Sequence, residues 1–166
     1  MDQVQELQPI LDFLQQIGIP VEECELDDAT FLPGLALGPG RIFVDYRKLK
    51  YPGDMLHEAG HLAVTPAPTR QIVGTPDLPL PWPPEGEEIG AVLWSFAAAR
   101  HIGLPLPVVF HAGGYKNDSD WLIEMFEGGH YIGLPFLEWC GLCLGQQRAG
   151  PAGVPAFPHM LKWLRD

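Results

Sequence analysis

His57-Glu58-Ala59-Gly60-His61 is the one stretch of this chain whose residue types and spacing spell out a reaction centre. Imidazoles four residues apart share one face of an α-helix, so both can reach a single metal ion. Glu58 follows His57 by about 100° of helix rotation, which aims its carboxylate at a water beside that metal rather than at the metal. A carboxylate so placed is a general base next to a Lewis acid. The chain holds 6 His and 11 Glu in 166 residues, and random ordering of that composition gives the pattern in roughly 1% of shuffles.

Two histidines leave a catalytic zinc one protein ligand short, with the fourth position kept for water. Glu85, Glu87, Glu88, His101, His111, Glu124 and His130 are the candidates. Glu87 and Glu88 stand out because they open an apolar helix, although acidic residues there also offset the helix dipole without any metal. Glu88 shares its face with Ala91, Val92, Ser95 and Ala99, all small or slender, which permits closer helix–helix approach than the Trp94 face of Glu87. An oxyanion formed at such a centre would want a further donor, for which His111, Tyr115, His130 and Arg70 are candidates.

The elements that must position these groups are legible from punctuation and periodicity. Pro52-Gly53-Asp54 is a helix start, with Asp54 as N-cap, and Met55, Leu56, Ala59, Leu62 and Ala63 make the helix largely apolar. Gly60 costs about 1 kcal/mol inside a helix, which points to close packing there. Upstream, Leu35–Leu37, Gly38-Pro39-Gly40 and Arg41–Asp45 read as strand, tight turn, strand, with Ile42 and Val44 on one side and Arg41, Phe43 and Asp45 on the other. Val21–Leu26 is a further candidate strand.

Residues 2–17 place Val4, Leu7, Ile10, Leu11 and Leu14 at helical spacing. Thr65–Pro84, with seven prolines, excludes regular helix and inner strand and is a stiff loop that either walls a cleft or wraps the surface. A buried helix follows, from Glu85 or Glu87 to Ile102, ended by Gly103. Ile102-Gly103-Leu104-Pro105 recurs as Ile132-Gly133-Leu134-Pro135, which reads as one helix–Gly–Leu–Pro–helix corner used twice. Asp118 or Ser119 should cap a helix over Asp120–Glu127, and Pro158–Leu164 reads as a short terminal helix. The expected fold is therefore α+β, mostly helical, one domain over 1–166, with a small sheet near residues 21–45 beside the His-Glu-x-x-His helix.

The motif His57-Glu58-Ala59-Gly60-His61, preceded by a strand and followed 27 residues later by Glu88 on an Ala-rich helix, resembles the zincin metallopeptidases. More narrowly, it is similar to the glutamate-zincins and to the small ImmA/IrrE-type bacterial metallopeptidases, over roughly residues 40–100. The resemblance implies Zn²⁺ as cofactor, His57, His61 and Glu88 as its ligands, Glu58 as general base, and peptide-bond hydrolysis on a peptide or protein substrate. The competing class is a zincin-shaped regulatory or binding protein whose metal site is structural or vestigial.

Charge and composition remove other classes. A net charge of −11 argues against nucleic acid or an anionic membrane surface as partner. The longest apolar run, Ala91–Ala99 broken by Ser95, is too short to span a bilayer, and the acidic, polar opening residues do not read as a signal peptide. Three cysteines leave at least one unpaired, which argues against a secreted disulfide framework and for a cytoplasmic location. Trp139-Cys140-Gly141-Leu142-Cys143 is similar to the site of thioredoxin-like proteins and suggests a thiol–disulfide oxidoreductase. Its setting in a helix already begun at Pro135, outside any βαβ unit, favours two small apolar residues packed in a late helix.

Overall fold

The computed structural model describes residues 3–166, and the fold is α+β: eight α-helices and a small mixed sheet among the described residues. The hairpin expected around Pro39-Gly40 forms from β2 (Leu35–Gly38) and β3 (Arg41–Val44), antiparallel, with Leu35 opposite Val44 and Leu37 opposite Ile42. β1 (Val21–Glu23) joins parallel to the other side of β3, giving the order β1-β3-β2. Period-two alternation sends Ile42 and Val44 fully into the core and leaves Arg41 and Phe43 half-buried. Asp45 departs from the expected outer face. Just past β3 it is buried, where it accepts from the Leu26 N–H at 3.2 Å and from Arg47. Arg47 holds its carboxyl below the usual range, and that local pairing ends β1 short of Leu26.

α1 (Gln3–Ile17) sets its apolar stripe, Ile10, Phe13 and Leu14, into the core; Asp2, where this helix was expected to start, lies outside the described residues. α2 (Asp54–Val64) carries the histidine motif and packs against β3 and, most extensively, against α4 (Glu87–Ile102). Gly60 is the reason the two helices come so close. A Cβ there would lie 2.6 Å from the Ala91 carbonyl oxygen, closer than any side chain tolerates. The contact also sets the register of the site. Glu88 stands one turn before Ala91 and His61 directly follows Gly60, so the close approach brings the Glu88 carboxylate to within 3.1 Å of His57 and 2.9 Å of His61.

The C-terminal end of α2 is fixed by side chains that satisfy its last carbonyls. Thr65 Oγ1 donates to the His61 carbonyl at 2.6 Å, Arg70 Nε to Leu62 at 2.8 Å, and Arg165 Nη1 to Val64 at 3.0 Å. Arg70 belongs to the proline-rich stretch, and there the structure corrects the expectation of no helix: Ala67–Arg70 forms one turn, α3. Proline sits in the first turn, where its missing N–H has no partner to lose.

The rest of the chain consists of α5 (Leu106–Val109), a 3₁₀ turn at Tyr115–Asn117, α6 (Ser119–Glu127), α7 (Leu134–Trp139) and α8 (Gln146–Ala152). Asp118 precedes α6 without a side-chain capping bond. The two Ile-Gly-Leu-Pro copies share a left-handed glycine but not a role: Gly103 (φ 70°) closes α4, whereas Gly133 (φ 95°) opens α7 with no helix before it. Pro158–Leu164 is not helical. The Leu161 and Lys162 N–H groups both reach the Leu142 carbonyl, and just beyond the segment Arg165 N–H reaches Ala63, so tertiary anchoring replaces the local ladder. No helix among the described residues is long and apolar enough to cross a membrane.

Candidate metal centre

Helix spacing on α2 and the close approach of α4 bring three donor groups to one point. His57 Nε2 and His61 Nε2 lie 3.1 Å apart, Glu88 Oε1 is 3.1 Å from the first and Glu88 Oε2 2.9 Å from the second. Zinc with bonds of about 2.0–2.1 Å holds neighbouring tetrahedral ligand atoms about 3.3 Å apart, so the donors stand near a chelating arrangement. Facing imidazole nitrogens otherwise repel unless one carries a proton, and a buried pair aimed at one carboxylate fits a cation between them. Both histidines are buried while the Glu88 side chain is 58% exposed, so the group faces solvent on the carboxylate side. No other cluster of three metal-ligating side chains occurs among the described residues.

Neighbours orient the two imidazoles. Tyr115 Oη lies 3.1 Å from His57 Nδ1, the ring nitrogen turned away from Glu88, and so determines which nitrogen of His57 faces the centre. His61 has no such partner: its Nδ1 is buried without a hydrogen bond, and its ring is braced by Trp82 at 6.1 Å between centroids. Trp82 comes from the proline-rich segment, which thus packs against the His61 side of the centre and lines no part of the cleft on the His57 side. Glu58, half-buried on α2, is pushed up from the usual carboxylate range by burial, against the opposing pull of His61 and His57. Glu88 is held well below that range by its hydrogen bonds to His57 and His61. Burial pulls His57 down, but the hydrogen bond and charge of Glu88, with Glu58 and Asp54, carry it upward overall.

A cleft of about 440 Å³ opens beside His57 and Glu88, with Tyr51, Asp54, His111 and Tyr115 in its walls. Asp54, expected as an N-cap, makes no capping bond. Its carboxylate instead accepts from His111 Nε2 at 2.6 Å, with the imidazole stacked on Tyr51 at 3.7 Å. Burial raises Asp54 above the usual carboxylate range despite the opposing pull of His111. The loop that follows carries three successive non-glycine residues at positive φ, Tyr115 (56°), Lys116 (51°) and Asn117 (69°). Such conformations cost on the order of 1–3 kcal/mol each and persist only where surroundings impose them. Here they turn Tyr115 inward onto His57.

The other candidates lie elsewhere. Glu87 faces Arg165 at 4.0 Å, and His101 packs at a tilt against Phe13 and Trp163 at the far end of α4. Glu85, Glu124 and His130 are exposed and outside the cleft. Arg70 is occupied in capping α2, which takes it out of the oxyanion candidates and leaves His111 and Tyr115. Sequence reasoning missed the Asp54–His111 and His57–Tyr115 pairs, which join residues 57 and 58 apart and leave no local signal.

No family model matches the chain, and neither a curated protein nor a solved structure matches it. The case for chemistry therefore rests on the residues themselves.

The second motif behaves differently. Cys140 and Cys143 are free and buried, just past the end of α7 rather than at a helix start. Burial pushes Cys140 up and Cys143 to about 12, the opposite of the depressed thiol that redox exchange needs.

Proposed function

We propose that this chain is a zinc-dependent hydrolase of zincin type, most specifically a metallopeptidase, with His57, His61 and Glu88 as ligands and Glu58 as general base. The observation that carries the reading is the convergence of two buried imidazoles and one cleft-facing carboxylate on a single point. Zinc held there would supply a Lewis acid that acidifies a water and polarises a scissile carbonyl.

The chain's own groups supply the rest. Glu58, raised by burial above the usual carboxylate range, accepts a proton on its carboxylate and releases it to the leaving amine. With His57 Nε2 turned to the centre, Nδ1 carries the proton and donates to Tyr115 Oη. The Tyr115 hydroxyl proton is then free to point into the cleft. Burial holds that phenol neutral far above its ordinary value, so it stays a donor for a developing oxyanion at any working pH. Asp54 and His111 stiffen the wall from which Tyr115 projects. The non-catalytic alternative wants a fourth protein ligand closing the site, whereas the cleft side of Glu88 is open.

The test is Glu58→Gln. It should keep stoichiometric zinc and lower turnover of any peptide that the wild type cleaves by about 10²–10⁴-fold or more. Turnover at wild-type rates would remove Glu58 from the reaction.

A further inference from the structure

On the far side of Glu88 from the cleft lies a second cavity, of about 580 Å³. Glu88, Tyr115 and Lys116 border both spaces, so a chain lying across the metal centre passes from one into the other over these three residues. The chemistry changes on the way. Beyond the shared ridge the second cavity is lined by Ile89, Val92, Trp121, Leu122, Phe126 and Ile132, with Asp118 as the one further charged group. Trp121 is 50% and Ile89 37% exposed, which leaves large apolar side chains in solvent beside the metal centre. Phe31, 93% exposed, borders the cleft, so exposed apolar side chains line both spaces beside the centre.

We infer that this second cavity is a substrate-specificity pocket, taking one large apolar side chain, aromatic or leucine-like, from the polypeptide whose carbonyl sits at the metal centre. The inference rests on the hydrolase reading above and names the substrate class for that site. The occupant is a substrate side chain rather than a second copy of this chain because the surface is a concave pocket continuous with the centre through Glu88. A self-complementary dimer face would need on the order of 800 Å² from each partner. One wall of the pocket is the start of α4 and the other is residues 115–132, from the strained Tyr115–Asn117 turn onward, so the segment that orients His57 also forms a pocket wall.

The test uses the zinc-loaded full-length protein and two probes, acetohydroxamate and a hydroxamate bearing a benzyl group, with affinities measured by calorimetry. The readout is the ratio of the two affinities within each protein. In the wild type the benzyl compound should bind at least about tenfold tighter, as burying an aromatic ring against apolar walls requires. Trp121→Ala and Ile89→Gln, both at partly exposed positions that the fold tolerates, should each cut that ratio to threefold or less. A wild-type ratio near one, or the same ratio in both variants, overturns the pocket while acetohydroxamate binding still supports the metal centre. A wild-type dimer that Trp121→Ala converts to a monomer would assign the surface to self-association and overturn it too. No binding of either probe would sink the metal reading itself, and this inference with it.

Discussion

Two short motifs in this chain suggest chemistry, and the fold treats them in opposite ways. His57, Glu58 and His61 sit on α2 opposite a close-packed helix that delivers Glu88, and the group opens into a cleft. Cys140 and Cys143 sit past a helix C-terminus, covered by the core, their thiols pushed up. The difference lies in what surrounds each motif. Metal ligation by imidazoles needs only helical spacing and a third donor, both of which α2 and α4 provide. A reactive thiolate needs a helix N-terminus or a cation, and the only charge helping Cys140 is Arg165, which burial outweighs.

The contrast can be broken most decisively at the ligands. His61→Ala should lower zinc affinity by more than about 100-fold, beyond the range ascribed to outer-shell partners, and Glu88→Gln should lower it as well. Competition against a chelator measures this, and full affinity in Glu88→Gln would move the third ligand elsewhere.

A smaller effect belongs to Tyr115. Tyr115→Phe removes the partner of His57 Nδ1 and should cost about 10–100-fold in zinc affinity or turnover. Unchanged values in both would reduce Tyr115 to a wall residue.

The cysteine side gives the mildest prediction. Because the folded Cys143 thiol ionises near 12 and an unfolded one near about 8.5, the folded state holds its proton longer. Its contribution to stability is complete below about pH 8.5 and declines as pH rises towards 12. The urea midpoint of the wild type should therefore fall more steeply between pH 8.5 and 10.5 than that of Cys143→Ala. Parallel slopes would mean that the thiol is not protected as described, and would revive its candidacy for exchange chemistry.

What the sequence made legible was what neighbouring residues decide. Pro52-Gly53 and Gly103 bracket α2 and α4, Gly60 marked their contact, and Gly38-Pro39-Gly40 marked the hairpin. The errors fall where partners are distant in sequence. Asp54 had the composition of a cap but bonds His111, and Arg70 resembled a catalytic donor but completes the end of α2. Pro158–Leu164 had helical apolar spacing, yet the Leu161 and Lys162 N–H groups reach the Leu142 carbonyl instead of their own ladder. α8 went unread because its Gly150 and Pro151 are residues that helices disfavour. In the site, the ligand spacing was local and readable. The orientation of His57 by Tyr115 depends on three left-handed residues whose conformation no local pattern signals.

The central claim is that α2 and α4 fold into a preformed zinc site. Metal analysis of the purified wild-type protein, dialysed against zinc and then against metal-free buffer, tests it directly. The expected result is one zinc per chain, lost in a His57→Ala/His61→Ala double variant that keeps its helical circular dichroism. A wild type that retains no stoichiometric zinc or other transition metal would contradict it.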